Sequence, residues 1–367
     1  MSRGLTPHVD FEYSPSSQKL SPKVRDRLAS VLLATLDTSF PSGFNLAVVD
    51  KSGTMLRAWG GYANRVEPVI GTRRETIYDL ASLTKVVSTT TLALWLEQQG
   101  RWKLSDPVDR WLPGFSRNDL TLHQLLTHTS GLIPHRPFFH LGKEPRAIRR
   151  GVYNEAARGG ASGKVLYSDL NFMLLGWAIA SCAGEPLDRL FHDVAAEPLH
   201  MDHTRYRPSR RVRPLIAATE RNGDQRNEAQ LVWGEVHDGN AWALGGVAGH
   251  AGLFGPADDL ARFVTALLNP RHHPVLRYSS IARMSKYQAG RQPDVRGLGW
   301  RLQPKEWGAW PEGTYWHNGF TGTSLLVAPR ANLGVVLLTN AIHPTRHLEK
   351  QANFRTTIHR TLARSLS

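Results

Sequence analysis

The strand-forming stretches of this chain lie at its two ends, and that separation constrains the fold more than any other feature. Phe44-Asn45-Leu46-Ala47-Val48-Val49 alternates as a strand, Asp50-Lys51-Ser52-Gly53 reads as a turn, and Met55 to Tyr62 reads as the returning strand. Further strands are expected only late, over 298–302, 315–320, 323–328 and 334–338. The late joins are short, as at Pro329-Arg330-Ala331-Asn332, which favours antiparallel pairing. Between the two groups the spacing predicts helices over 82–99, 121–129, 170–183 and 256–268. An earlier helix from Pro22 carries Val24, Leu28, Val31, Leu32 and Leu36 on one side, and a final helix covers about 348–365. The expected class is therefore α+β within one structural domain. Residues 21–80 and 275–367 would form an antiparallel sheet flanked by helices, and 81–274 a mostly helical part, with a cleft between them. Residues 1–20 read as a loose leader. There are no internal repeats.

Length and composition narrow the function classes. With 367 residues the chain can bury a large core, and 41% apolar with 21% charged residues is a globular balance. No apolar run approaches the roughly 20 residues a membrane span needs, and Met1 to His8 contains no apolar signal region. Cys182 is the only cysteine, which suits a reducing compartment, so a cytoplasmic protein without membrane association is expected. Forty-five basic against 31 acidic residues leave a net charge of +14. Arg205, Arg207, Arg210, Arg211 and Arg213 crowd one stretch, either a solvated loop or a clamp for a phosphate or carboxylate. No spacing expected of a nucleic-acid reader is present, so the expected partner is a small acyl substrate, in one reading anionic.

The chemistry-bearing feature is Ser82-Leu83-Thr84-Lys85. A serine hydroxyl is a poor nucleophile until a neighbour takes its proton, and positions i and i+3 of a helix share a face. Ser16-Ser17-Gln18-Lys19 has the same spacing but lies in a polar stretch without apolar periodicity. Ser82 instead sits where an apolar segment becomes a helix that Gly100 ends.

Two more motifs follow in order: Tyr167-Ser168-Asp169 before Leu170 to Gly176, and His317-Asn318-Gly319-Phe320-Thr321-Gly322-Thr323. Together with Leu125 to Gly131 and Ala243 to Gly252, these residues resemble the serine β-lactamase and penicillin-binding-protein superfamily. The likeness is to its class C-like branch of esterases, D-amino-peptidases and transacylases, over about residues 44–340. The resemblance implies a β-lactamase-like fold, no cofactor and no metal. It makes Ser82 the nucleophile, with Lys85, Tyr167 and His317 as catalytic partners. Lysine and tyrosine side chains both ordinarily titrate near 10, so either Lys85 or Tyr167 could be the base. The backbone N–H groups of Ser82 and, by the resemblance, Phe320 would form the oxyanion hole. Asp169, Asn318, Gly319, Trp233 and Trp242 are candidate substrate contacts. His128 and His250 read as structural, and Trp300, like Trp233 and Trp242, could line a pocket, with buried core the default for any one of the three.

Two positions depart from the family's pattern. Asp169 stands where asparagine is usual, and a carboxylate only accepts hydrogen bonds. His317 stands where lactamases carry lysine, so a substrate carboxylate loses a cationic partner. The expected activity is acyl transfer through an acyl-Ser82 intermediate, hydrolysing an ester or amide. The alternative is a transacylase or amide synthase using an amine or alcohol. β-Lactam hydrolysis and a non-catalytic binding role are the less favoured readings.

Overall fold

The computed structural model describes residues 8–160, 162–221 and 230–366. Strands β1 (Val9–Tyr13), β2 (Gly43–Asp50), β3 (Gly53–Asn64) and β4 (Ile70–Gly71) come first, with α1 (Pro22–Thr38) between β1 and β2. β5 (Ile77–Asp79) leads to Ser82. The middle holds α2 (Thr91–Gln98), α3 (Leu122–Leu126), α4 (Pro145–Arg158), α5 (Asp169–Ala183), α6 (Leu187–Phe191), β6 (Arg205–Tyr206), α7 (Gly239–Ala243), β7 (Leu253–Pro256) and α8 (Ala257–Leu268). The chain then returns through α9 (Tyr278–Met284), β8 (Ala289–Arg291), β9 (Asp294–Arg296), β10 (Arg301–Leu302), β11 (Tyr315–Asn318), β12 (Ser324–Ala328) and β13 (Leu333–Thr339). It closes with α10 (Leu348–Ala363).

Early and late strands form one antiparallel sheet in the order β1-β3-β2-β13-β12-β11-β10-β9-β8, with β4 on β3. β2 and β13 meet at its centre, pairing Val48 with Val335 and Leu46 with Leu337. Alternation then sorts the side chains by face. Leu46, Val48, Val335 and Leu337 pack with Leu28 and Leu32 of α1 and Ile358 and Leu362 of α10. Ala47, Val49, Val336 and Leu338 turn to the opposite face, where Leu260, Phe263, Val264 and Leu267 of α8 join the helical core. Thus α8, on the helical side of the expected boundary at 274, covers the sheet.

Other differences have local causes. The leader is not loose over Val9–Tyr13: these residues pair with β3 as an edge strand, and Lys19 forms an ion pair with Asp50. That ion pair turns the second Ser-x-x-Lys away from any catalytic use. The strand expected over 298–302 shrinks to Arg301–Leu302, because Leu298 and Trp300 are buried in the helical core. β5, β7 and β6 form a separate three-stranded sheet that delivers Ser82 to the junction of the two cores. Among the described residues no helix is long and apolar enough to cross a membrane.

Candidate active site

Ser82 lies in a single 3-10 turn, Ala81–Leu83, immediately after β5. Ala81 has φ 47°, a left-handed conformation that a side chain with Cβ disfavours. Asp79 holds it there: its Oδ1 accepts the Ala81 N–H at 2.8 Å and its Oδ2 accepts the His237 N–H at 2.7 Å. A π-helical turn, Lys85–Thr90, follows before α2 begins. The regular helix expected from 82 therefore starts only at Thr91, and π turns of this kind are frequent at functional sites. The Ser82–Lys85 contact forms all the same, with Lys85 Nζ donating to Ser82 Oγ at 2.9 Å.

Lys85 is fully buried, and its three ammonium protons meet three acceptors. Beside Ser82 Oγ these are Asp169 Oδ1 at 2.8 Å and the His250 carbonyl at 3.1 Å. Burial works against the ammonium, but the charge of Asp169, together with the interaction with Tyr167, outweighs it and raises the Lys85 pKa above its ordinary value. Burial likewise opposes the Asp169 carboxylate. The Lys85 charge and a hydrogen bond from His135 prevail and hold it below the usual carboxylate range. Glycines allow the approach: a Cβ on Gly176 of α5 would lie 2.8 Å from the Gly249 nitrogen, so only glycine lets α5 reach the loop that presents the His250 carbonyl. His250 is anchored in turn by Nε2 against Asp238 Oδ1 at 2.8 Å.

Tyr167 sits at the mouth of this network. The Lys85 ammonium is 5.1 Å and the Arg296 guanidinium 5.3 Å from its ring centroid. His128 packs against the ring at 4.6 Å between centroids. His128 Nδ1 accepts from the Ser168 N–H and from Asn171 Nδ2, both at 3.1 Å, so it fixes the Tyr167 loop rather than acting on substrate.

The opposite wall is β11. His317 is buried, and its Nδ1 lies 2.8 Å from the Asn318 carbonyl. A carbonyl only accepts, so Nδ1 carries the proton and Nε2 a free lone pair. Nε2 has no hydrogen-bond partner among the described residues. Burial, then the charges of Lys85 and Arg296, push the His317 pKa well below its ordinary value, so the ring is neutral. Gly319 then lets β11 touch the Ser82 turn. A Cβ there would collide with Thr323 Oγ1 and lie 2.8 Å from the Leu80 carbonyl. Thr321 Oγ1 and Thr323 Oγ1 donate to the Asp79 and Leu80 carbonyls at 2.8 and 3.2 Å, bolting the walls together.

Ser82, Tyr167, Asp294, Arg296, Arg301, His317, Asn318, Gly319, Phe320 and Arg355 line one pocket of about 440 Å³. A family model described as Beta-lactamase matches residues 35–357. The chain belongs to the beta-lactamase family. It is 28% identical to an Escherichia coli (strain K12) protein named "Putative D-alanyl-D-alanine carboxypeptidase", covering 93% of this chain and 88% of that one. The fold is shared with "EstCE1, a hydrolase with promiscuous acyltransferase activity", at TM-score 0.77 and 22% identity, over 95% of this chain and all of the other, 100%. It is also shared with the unliganded simvastatin synthase LovD from Aspergillus terreus, at TM-score 0.72 and 19% identity, over 95% and 100%. The chain is thus a serine hydrolase-type enzyme, and its family works by a general acyl-serine mechanism.

Within this beta-lactamase-family site, Ser82, Tyr167, His317, Asn318, Gly319 and Phe320 share the pocket, and Lys85 lies directly beneath Ser82. Asp169 differs from the expected substrate contact: its carboxylate is directed at Lys85 and His135 and is not part of the pocket wall. Trp233 and Trp242 differ too, because their indole N–H groups bind Ile216 O and Glu235 Oε2, which hold both rings at a second cavity. His135, Asp169 and Asp238 bring three ligand-type atoms within 4.8 Å of one another, but the Asp169 charge is already met by Lys85.

Several residues here had no signal in the sequence. Glu220 receives His237 Nε2 at 2.9 Å and Arg346 Nε at 2.6 Å. His237 stacks on the Phe320 ring at 5.6 Å, and the Arg346 guanidinium covers it at 5.2 Å. From α10, Gln351 Nε2 donates to the Phe320 carbonyl at 2.9 Å and Arg355 Nη2 to the Gly319 carbonyl at 3.1 Å. These groups fix the Phe320 N–H, which meets no acceptor among the described residues.

Proposed function

We propose that this protein hydrolyses an amide or ester whose leaving side carries a carboxylate, through an acyl-Ser82 intermediate. The supporting observation is the pairing of Ser82, hydrogen-bonded by Lys85, with a pocket wall of arginines. Arg296 is buried with Nη1 lacking a hydrogen-bond partner among the described residues, and Arg355 Nε is likewise unpartnered. Burial pushes Arg355 down to about 10, so it stays charged at neutral pH. Asp294, the carboxylate in the same wall, pairs with Arg296 and Arg301, leaving the pocket net positive. Relatives named for carboxypeptidase activity fit a substrate ending in a carboxylate.

With Lys85 held as an ammonium by Asp169, the group placed to take the Ser82 proton is the Tyr167 oxygen. Ser82 Oγ bonds to the acyl carbon as its proton passes to the Tyr167 oxygen. The Lys85 proton at 2.9 Å steadies charge on Oγ, and the N–H groups of Ser82 and Phe320 receive the carbonyl oxyanion. The C–N or C–O bond then breaks, and the Tyr167 proton leaves with the departing group. Water, giving a proton to the same oxygen, releases the acid. The free His317 Nε2 accepts an N–H or O–H of the substrate. Transfer to an amine is the second reading, supported by that acceptor at the pocket. β-Lactam hydrolysis is the less favoured reading.

The test compares a D-amino-acid dipeptide with its C-terminal amide in wild type and Arg296→Gln. We expect kcat/KM to favour the free acid, and the preference to collapse in the variant by about tenfold or more. An equal rate for acid and amide in wild type would refute the carboxylate reading. Added amine that diverts product from acid to amide would select the transfer reading.

A further inference from the structure

The Ser82 pocket has two unlike ends. At one, the His317 ring lies 6.0 Å from the Tyr167 ring between centroids, and the Arg296 guanidinium lies 5.3 Å from the same ring. From His317 the chain crosses the pocket through Asn318 and Gly319 to Phe320, and there the start of α10 forms the wall. The side chains of Phe320, Leu348 and Ala352 at this second end take no part in the chemistry at Ser82.

Residues 348, 351, 352 and 355 stand at i, i+3, i+4 and i+7 on α10, so they share one face, and all four line the pocket. Gln351 and Arg355 are buried and donate to the Phe320 and Gly319 carbonyls at 2.9 and 3.1 Å, which pins this face of α10 to the end of β11. Leu348 and Ala352 are exposed and apolar. Leu348 is 53% exposed and Phe320 41%, and of the large exposed apolar side chains among the described residues these two alone line the pocket. Neither belongs to the hydrophobic cores, in which α10 is anchored by Ile358 and Leu362. The Phe320 ring is held in place by His237 at 5.6 Å and Arg346 at 5.2 Å, and the rest of it stays open.

We propose that Phe320, Leu348 and Ala352 form an apolar subsite for the acyl part of the substrate, and that it takes an alkyl chain longer than acetyl. This rests on the reading that a leaving-side carboxylate lies at the Arg296 end: with that end taken, the acyl group bonded to Ser82 extends toward Phe320. Laying an alkyl chain on an exposed leucine and phenylalanine removes apolar surface from water on both partners, and each methylene fully buried is worth about fourfold in binding. The amides this site prefers are N-acyl amino acids with an apolar acyl chain.

The test compares kcat/KM for p-nitrophenyl acetate and p-nitrophenyl hexanoate, esters whose leaving group carries no carboxylate, in wild type, Leu348→Ser, Ala352→Leu and Leu141→Ser. Thermal melting confirms that each variant is folded, and Ser82→Ala sets the background rate. The hexanoate-to-acetate ratio is expected to be about tenfold or more in wild type. Leu348→Ser should lower that ratio about threefold or more, and Ala352→Leu should raise it. Leu141→Ser, at an exposed leucine outside the pocket, should leave it within about twofold. A wild-type ratio of one or less, an unchanged ratio in Leu348→Ser, or turnover of neither ester above the Ser82→Ala background would each overturn the proposal. The acid–amide comparison with Arg296→Gln reads the other end separately. A lost acid preference with the ester ratio intact supports the apolar subsite and rejects the carboxylate reading. A lost ester ratio with the acid preference intact rejects the apolar subsite alone.

Discussion

The two walls of the Ser82 pocket are built by opposite means. The β11 wall is a ladder: Tyr315, Trp316, His317 and Asn318 pair in register with Val327, Leu326, Leu325 and Ser324. Backbone bonds set the position of every residue in it. The Ser82 wall has no ladder after Asp79. It runs through a left-handed alanine, a 3-10 turn and a π turn, and is held by side chains from distant segments. Its nucleophile is therefore only as well placed as Asp79, Thr321, Thr323 and Asp169 make it. The regular wall supplies precision, and the irregular wall borrows it.

Substitutions that cut one wall from the other should rank accordingly. Ser82→Ala removes the nucleophile and should lower kcat/KM by about 10³ or more while leaving the melting temperature close to wild type. Gly319→Ala adds a Cβ between the walls, against Thr323 Oγ1 and the Leu80 carbonyl. It should lower kcat by about 10², the scale of one lost oxyanion donor, with a smaller change in KM. An unchanged kcat would mean that the walls are not coupled through this contact.

Asp169→Asn tests the buried charge beneath the nucleophile. Lys85, with its pKa raised in the folded state, stabilises wild type fully below the ordinary lysine value of about 10.4, and this is lost as pH rises through the folded value. Asp169, with its pKa depressed, stabilises above about 3.9, and this is lost as pH falls through its folded value. Wild-type stability from this pair should therefore be level between about pH 5 and 9. In the variant the Asp169 charge no longer opposes burial and the Lys85 pKa falls; where it lies below the ordinary lysine value, the unfolded chain binds the extra proton and stability rises with pH up to that value. Melting curves against pH check the sign. A variant as level as wild type would show that Asp169 does not hold the lysine charge.

The smallest effect is expected at Glu220→Gln. It loosens His237 and Arg346 on the Phe320 ring, and should lower kcat a few-fold without changing KM.

The same contrast governs what the sequence disclosed. Strand alternation in Leu46 to Val49 and in 334–338, and the i, i+3 spacing of Ser82 and Lys85, are local patterns, and the structure contains the contacts they imply. Val9, Phe11 and Tyr13 also alternate, but a five-residue strand needs β3 beside it, and its polar flank disguised it. Asp169 was legible as a departure from the family's asparagine, yet its partner, Lys85, lies 84 positions away. Glu220, His237 and Arg346 follow no spacing at all. They come from three separate segments and meet at Phe320 only in the folded chain. The Arg205–Arg213 run and the tryptophans were visible as composition, while their meeting in a second cavity depends on where Gly234 and Gly246 let the arginine stems rest.

The central claim is that Ser82 forms a covalent acyl intermediate. Intact-mass measurement of the protein after exposure to a fluorophosphonate, beside Ser82→Ala, tests it most directly. The structure predicts a single adduct on wild type, mapped by peptide to residue 82, and none on the variant. No adduct on wild type, or equal labelling of Ser82→Ala, would contradict it.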